Sequence, residues 1–134
     1  PESLVVTPAT APLRDPRDVT RCLERLERGG CDVVITVTAS QRNPYFNMVR
    51  ETVDGLVTLA ATPEGPVTRR QAAPPLFDIT PVAYAAHPAF VLGSTGIFQG
   101  RVASVQVSAD SAIDIDTPLD FTIAELLASR GDFR

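Results

Sequence analysis

Asp114 and Asp116 are the residues of this chain whose type and spacing best suit metal chemistry. They stand in the run Ser111-Ala112-Ile113-Asp114-Ile115-Asp116-Thr117-Pro118-Leu119-Asp120-Phe121. Read as a strand, this run puts residues two apart on one face. Both carboxylates then point one way, and Ile113 and Ile115 point the other way, into a core. The two aspartate Cα atoms would lie roughly 6–7 Å apart, about twice the strand rise per residue. That spacing lets both carboxylates converge on one hard cation. Mg²⁺ is the natural candidate, because it takes oxygen ligands and keeps waters that phosphate oxygens can replace. An Asp-x-Asp pair is equally at home as plain surface on an edge strand, so the pair alone does not decide the matter.

The elements that position the pair follow from the residues after it. Thr117 suits a helix N-cap and Pro118 the first helical position. The spacing of Leu119, Ile123, Leu126 and Leu127 predicts a helix over 118–129.

All twelve basic residues are arginines, and the chain has no lysine. Schiff-base chemistry and a phosphate-binding lysine are therefore excluded within it. Arginine is the permanent cation available for clamping phosphate or carboxylate, a task its planar fork suits. His87 is the single histidine, so a multi-histidine metal site is excluded. Cys22 and Cys31 have neither a CxxC nor a metal-ligand spacing and read as reduced thiols, which suits a cytoplasmic protein. The net charge of −4 argues against nucleic-acid binding. No apolar run is long enough to suggest a membrane span. At 134 residues and 44% hydrophobic content, the chain can bury the core of one domain.

Along the chain, residues 3–7 read as a short strand and 8–16 as a loop. Residues 15–28 read as an amphipathic helix with Val19, Cys22, Leu23 and Leu26 on its apolar face. Gly29 and Gly30 end it. The β-branched run 32–38 reads as a buried strand. This strand–helix–strand order predicts a right-handed crossover and a parallel sheet. Residues 43–50 read as a turn leading into a strand that pairs with 56–60 through Asp54-Gly55. Residues 81–86 and 101–107 are further strands, and 87–92 a short helix or turn.

Several of these segments, taken in order, resemble one family. They are Pro12-Leu13-Arg14, Val34-Ile35-Thr36-Val37-Thr38, Arg42-Asn43-Pro44-Tyr45-Phe46-Asn47-Met48-Val49, Thr68-Arg69-Arg70-Gln71 with Pro74, Tyr84, and 111–121 followed by Ile123-Ala124-Glu125. The series resembles the acylneuraminate cytidylyltransferases, the CMP-sialic acid synthetases and their bacterial relatives, over nearly the whole chain. The resemblance implies an α/β fold: a three-layer, Rossmann-like sheet of the nucleotide-diphospho-sugar-transferase type, with a dimerisation excursion near 45–80. It implies transfer of CMP from CTP to a nine-carbon 2-keto sugar acid with release of pyrophosphate. It implies Mg²⁺ held by Asp114 and Asp116, and Arg70 as the catalytic arginine on the anionic substrates. Arg14, Asn47 and Tyr84 are implied as further substrate-binding residues, and the protein as a homodimer.

The departures from the family pattern carry expectations too. Nothing here corresponds to the Gly-rich basic loop that cradles the nucleotide phosphates, so residues 1–134 resemble the C-terminal half of the family's domain. A chain of this extent is expected to be inactive alone. The family's Gln-Pro-Thr-Ser-Pro-Leu-Arg stands here as Pro8-Ala9-Thr10-Ala11-Pro12-Leu13-Arg14, and its Asn-Gly before Ile-Tyr stands as Thr80-Pro81. Both changes leave the acceptor open. Two other readings stay alongside: a non-catalytic interaction domain or relic of the fold, and a cytidylyltransferase for another sugar acid, such as a legionaminic, pseudaminic or Kdo-like acid.

Overall fold

In the computed structural model, residues 1–62 and 74–130 are described. They fall in two compact units, one drawn from Pro1–Thr38 and Ile79–Arg134 and the other from Ala39–Asp78.

The first unit is built on a four-stranded sheet. Its strands are β1 (Leu4–Val6), β2 (Val33–Ala39), β5 (Phe77–Ala86) and β6 (Val102–Gln106), in the order β1-β5-β2-β6. β1 pairs antiparallel with β5, Val5 lying opposite Ala85. β2 pairs parallel with β6, Ile35 lying opposite Ser104. The His87 N–H donates to Asp32 O at 3.1 Å, while Thr36 meets Thr80 and Ala83, so β5 runs antiparallel to β2. The sheet is therefore mixed, which corrects the parallel sheet expected from the strand–helix–strand order. β1 and β2 do run the same way, but β5 lies between them.

Helix α1 (Pro16–Glu27) covers one face. Asp15 caps it by accepting from the Arg17 N–H at 2.8 Å, and Pro16 supplies a first turn that needs no N–H. Its Cys22 and Leu26 pack with Cys31, Val34, Ala83, Ala85 and Val105. Gly29 and Gly30 both take positive φ, which ends the helix and turns the chain into β2. The alternate residues of β2, Val33, Ile35 and Val37, face the other side. There they meet Phe90 of helix α2 (Pro88–Gly93), Ile97 of a single 3₁₀ turn (Ile97–Gln99), and Val102. Helix, sheet and the shorter helical segments make the three layers.

Helix α3 (Pro118–Ser129) occupies the span the spacing predicts. Its apolar residues, however, are largely in solvent: Leu119, Phe121, Ile123 and Leu126 are exposed, and Ala124 is its one buried residue.

The second unit contains the hairpin of β3 (Val49–Glu51) and β4 (Val57–Leu59), antiparallel with Arg50 opposite Thr58. The turn holds Gly55 at φ 79°, and Thr52 closes it by accepting from the Gly55 N–H. Met48, Val49, Leu56, Val57 and Leu59 are all exposed.

Candidate functional site

The run that carries Asp114 and Asp116 is not a strand. After β6 the chain turns: the Ser111 N–H donates to Ser108 Oγ at 3.1 Å, and the Ala112 N–H donates to Ser108 O at 3.1 Å. Residues 113–115 then take no regular structure before α3 begins. Short serine side chains bonding to nearby backbone favour a turn over a ladder, and this turn overrides the Ile-Asp-Ile-Asp alternation. The same-face argument for the two carboxylates accordingly falls, as does the expectation that both face away from the core. Asp116 is exposed. Asp114 is half-buried, and its Oδ1 is fully buried with no hydrogen-bond partner.

A buried carboxylate oxygen without a partner is costly, because its lost hydration is not replaced. It marks a place where a cation or a donor from a ligand would be stabilised. The next acid along is already committed. Asp120 Oδ2 accepts from the Thr117 N–H at 2.8 Å and from Thr117 Oγ1 at 2.7 Å, closing a capping box at the start of α3. These bonds hold the Asp120 carboxyl below its usual pKa, the Thr117 side chain first among them.

Tyr84 lies within electrostatic reach of Asp114. Burial, followed by the negative charge of Asp114, raises the Tyr84 phenol above its usual pKa. Tyr84 projects from β5 into an apolar cavity of about 350 Å³. The cavity is walled by Val6, Val33, Phe90, Val91 and Ile97, with Ser94 and Thr95 supplying its polar rim.

The loop after β1 is tied to the same region. Arg14, half-buried, donates from Nε to Val82 O at 2.8 Å and from Nη2 to Pro8 O. Ala11, Val82 and Val107 form one small buried cluster, with half-buried Ala112 packed against it. The Ile115 N–H donates to Thr10 O at 2.9 Å. The Pro8–Arg14 loop and the Asp114 segment are thus fastened to each other and to β5.

The candidate residues read from the sequence divide three ways. Arg14, Tyr84, Asp114 and Asp116 are in the first unit, and the charge of Asp114 reaches Tyr84 there. Asn47 is in the second unit, where its Oδ1 accepts from the Asn43 N–H at 2.6 Å. Arg70 lies outside the described residues. Among the described residues, no group of three or more His, Cys, Asp or Glu could hold a metal ion. The sequence reading did not single out Val6, Phe90 and Ile97 as cavity walls. Their sequence neighbourhood is that of ordinary core, and only the sheet order brings Val6 beside Tyr84.

A mixed α/β sheet with this strand order defines the class, and comparison with solved structures agrees. The chain superposes on 4-diphosphocytidyl-2C-methyl-D-erythritol synthase from Anaerococcus prevotii with a TM-score of 0.64 and 18% identity, covering 96% of this chain and 59% of that one. The fold is therefore the nucleotide-diphospho-sugar-transferase fold of cytidylyltransferases. Among curated proteins, the chain is 32% identical over 126 residues to post-translational flagellin modification protein B of Campylobacter coli, covering 94% of this chain and 52% of that protein. It is 33% identical over 96 residues to the CMP-N,N'-diacetyllegionaminic acid synthase of Campylobacter jejuni, covering 72% and 40%. No family model matches. The chain is a relative of the acylneuraminate cytidylyltransferases, as its motifs indicate, and it spans about half the length of the curated relatives it matches. No described helix is long and apolar enough to cross a membrane.

Proposed function

We propose that this chain supplies the acceptor side and the metal-binding carboxylates of a cytidylyltransferase that makes a CMP-sugar from CTP and a sialic-acid-like 2-keto sugar acid. The observation that carries this reading is the buried, unpartnered Asp114 Oδ1, whose charge reaches Tyr84, a residue that lines an apolar cavity. In the reaction the anomeric hydroxyl oxygen bonds to the α-phosphorus, the bond to the β-phosphate breaks, pyrophosphate leaves, and the hydroxyl proton is lost.

Asp114 and Asp116 fit a Mg²⁺ ion in their chemistry. They are hard oxygen donors, they number two rather than a full cage, and one holds an oxygen that nothing else satisfies. When bound, Mg²⁺ neutralises phosphate charge and steadies the leaving group. The chain's own residues do the positioning. Tyr84 and the cavity walls offer apolar surface to a nonpolar substituent of the acceptor. In this reading Arg14 acts through the loop it ties down, by its bonds to Val82 O and Pro8 O. Arg70 is assigned to the anionic substrates by motif. Positioning and electrostatics of this kind account for most of the acceleration in phosphoryl-transfer chemistry.

The experiment is a pyrophosphate-release assay with CTP, Mg²⁺ and a panel of sialic, legionaminic and pseudaminic acids. It is run on this chain alone and on a polypeptide that joins it to the nucleotide-binding half of a relative. The joined form is expected to turn over at least one acid, and the chain alone none. Turnover by the chain alone contradicts the division of labour. Inactivity of a folded joined form toward every acid favours the non-catalytic reading.

The hairpin unit is assigned to homodimerisation, on the strength of its exposed Met48, Val49, Leu56 and Val57. Light scattering at micromolar concentration should give twice the chain mass, and Val49→Arg with Val57→Glu should halve it. A monomer, or a dimer indifferent to both changes, contradicts the assignment.

A further inference from the structure

The two metal-binding candidates are held differently. Asp114 is half-buried, whereas Asp116 is exposed, so packing does little to fix the Asp116 carboxylate. An exposed side chain loses rotamer freedom when it takes up a ligand, and a backbone that also moved would add to that cost. The backbone of Asp116 is fixed by hydrogen bonds instead.

Both peptide N–H groups that flank the Asp116 Cα converge on one oxygen. Asp120 Oδ2 accepts from the Asp116 N–H at 3.3 Å and from the Thr117 N–H at 2.8 Å. Peptide units are planar, so two successive N–H groups on one acceptor restrict φ and ψ of the residue between them, which is Asp116. One peptide earlier, the Ile115 N–H donates to Thr10 O at 2.9 Å. The three peptide units from Asp114 to Thr117 are therefore tied down, two of them by a single side chain.

A capping box needs less than this. In it the third helical residue reaches back to the N–H of the cap, and the cap hydroxyl accepts from the backbone of that residue. Asp120 and Thr117 do both, the Asp120 N–H reaching Thr117 Oγ1 at 3.3 Å. The bond to the Asp116 N–H is additional. Asp116 precedes the cap, so its N–H is not among those a helix start leaves unpaired.

We infer that Asp120 is a positioning residue for the metal-binding pair. It fixes the backbone of Asp116, so that the exposed carboxylate stays where a cation shared with Asp114 is held. This rests on the Mg²⁺ reading of Asp114 and Asp116, and it does not require Asp120 to touch the ion. Hydrogen-bonding groups that hold metal ligands in place commonly carry about 10–100-fold in metal affinity.

The test uses this chain and Mn²⁺, a paramagnetic ion that shares the preference of Mg²⁺ for carboxylate oxygen, and reads no turnover. Added Mn²⁺ broadens the amide resonances of nearby residues, and the concentration that does so gives an apparent affinity. Hydrogen exchange at the Asp116 and Thr117 amides, without metal, is the second readout. Asp120→Ala should speed exchange at both amides and weaken Mn²⁺ binding at 113–117 by at least ~10-fold. Asp120→Asn keeps a side-chain oxygen of the same reach and should restore most of both. Thr117→Ala removes the cap hydroxyl yet leaves Asp120 Oδ2 its two N–H donors. It should fray α3 while Mn²⁺ binding stays near the parent's.

Parental Mn²⁺ affinity in Asp120→Ala overturns the inference and leaves the metal reading standing. Equal losses in Thr117→Ala and Asp120→Ala overturn it by assigning Asp120 to the helix cap alone. Equal losses in Asp120→Asn and Asp120→Ala overturn it by assigning the effect to charge. Absence of broadening at 113–117 in the parent contradicts the metal reading itself, and the inference with it. Asp120→Ser, with a side chain too short to reach the Asp116 N–H, takes the place of the alanine variant if that one loses its circular dichroism.

Discussion

The Thr80 hydroxyl donates to the Thr36 hydroxyl at 2.8 Å, with both residues buried, beside the one proline of β5. Pro81 has no N–H to give the sheet. The Thr36 hydroxyl ties β2 to β5 on both sides of Pro81. Its oxygen accepts from the Ala83 N–H at 3.1 Å, and its proton lies within reach of Thr80 O at 3.0 Å and Ala83 O at 3.1 Å. Val82, whose carbonyl anchors Arg14, stands between the two β5 residues so held.

Thr36→Val should therefore be costly although it is nearly isosteric. It leaves the Ala83 N–H and the Thr80 hydroxyl buried without their partner, a loss of about 1–3 kcal/mol. Thr36→Ser, which keeps the hydroxyl, should lose clearly less. Urea unfolding of the three proteins checks the order. Equal stability of the Val and Ser variants would show that the hydroxyl network contributes nothing.

Asp32 and Arg101 give a prediction about acid. Asp32 Oδ2 accepts from the Arg101 backbone N–H at 2.8 Å and from its Nε at 3.1 Å, and Oδ1 accepts from Nη2 at 2.9 Å. The guanidinium bonds, then the backbone bond, lower the Asp32 pKa from 3.8 to about 2. The folded pKa is depressed, so this contribution is fully present above about 3.8 and is lost as pH falls through about 2. Asp32→Asn should flatten the stability profile between those values, as followed by chemical unfolding from about half a unit below the folded midpoint to about one unit above the unfolded one. A variant whose profile keeps the same slope there rules out the pair as its origin.

Tyr84 can report on Asp114 without any substrate. Burial contributes more to its raised pKa than the Asp114 charge does. Asp114→Asn should lower the Tyr84 pKa only in part, leaving it above the ordinary tyrosine value. Absorbance titration in a Tyr45→Phe background isolates the signal, since the chain has two tyrosines. An unmoved Tyr84 titration would separate the two residues and remove the electrostatic link between them.

Much of this architecture is legible in local sequence. Val19, Cys22, Leu23 and Leu26 announce α1, Gly29-Gly30 its end, and Asp54-Gly55 the hairpin turn, because each rests on interactions within a few residues. The place of β5 between β1 and β2 is not legible, since strand adjacency is decided by packing over long sequence separations. The Ile113–Asp116 alternation points to a strand that does not form. Ser108 and Ser111 turn the backbone first, and the Thr117–Asp120 box then starts a helix. The motif points to Asp114 and Asp116 alike, but not to the burial that sets Asp114 apart from the exposed Asp116. Arg14 reads from sequence as a substrate clamp, and no local signal shows that its Nε and Nη2 turn to backbone carbonyls.

The most direct measurement of the central claim is the Mg²⁺ dependence of turnover in the joined polypeptide, for Asp114→Asn and Asp116→Asn beside the parent. Each variant should lose at least ~100-fold in kcat at low Mg²⁺, about 2.7 kcal/mol of transition-state stabilisation. High Mg²⁺ should restore part of the loss, with circular dichroism unchanged. Near-parental turnover at low Mg²⁺ in either variant would contradict a metal role for that residue, and loss of the folded signal in Asp114→Asn would instead assign it to structure.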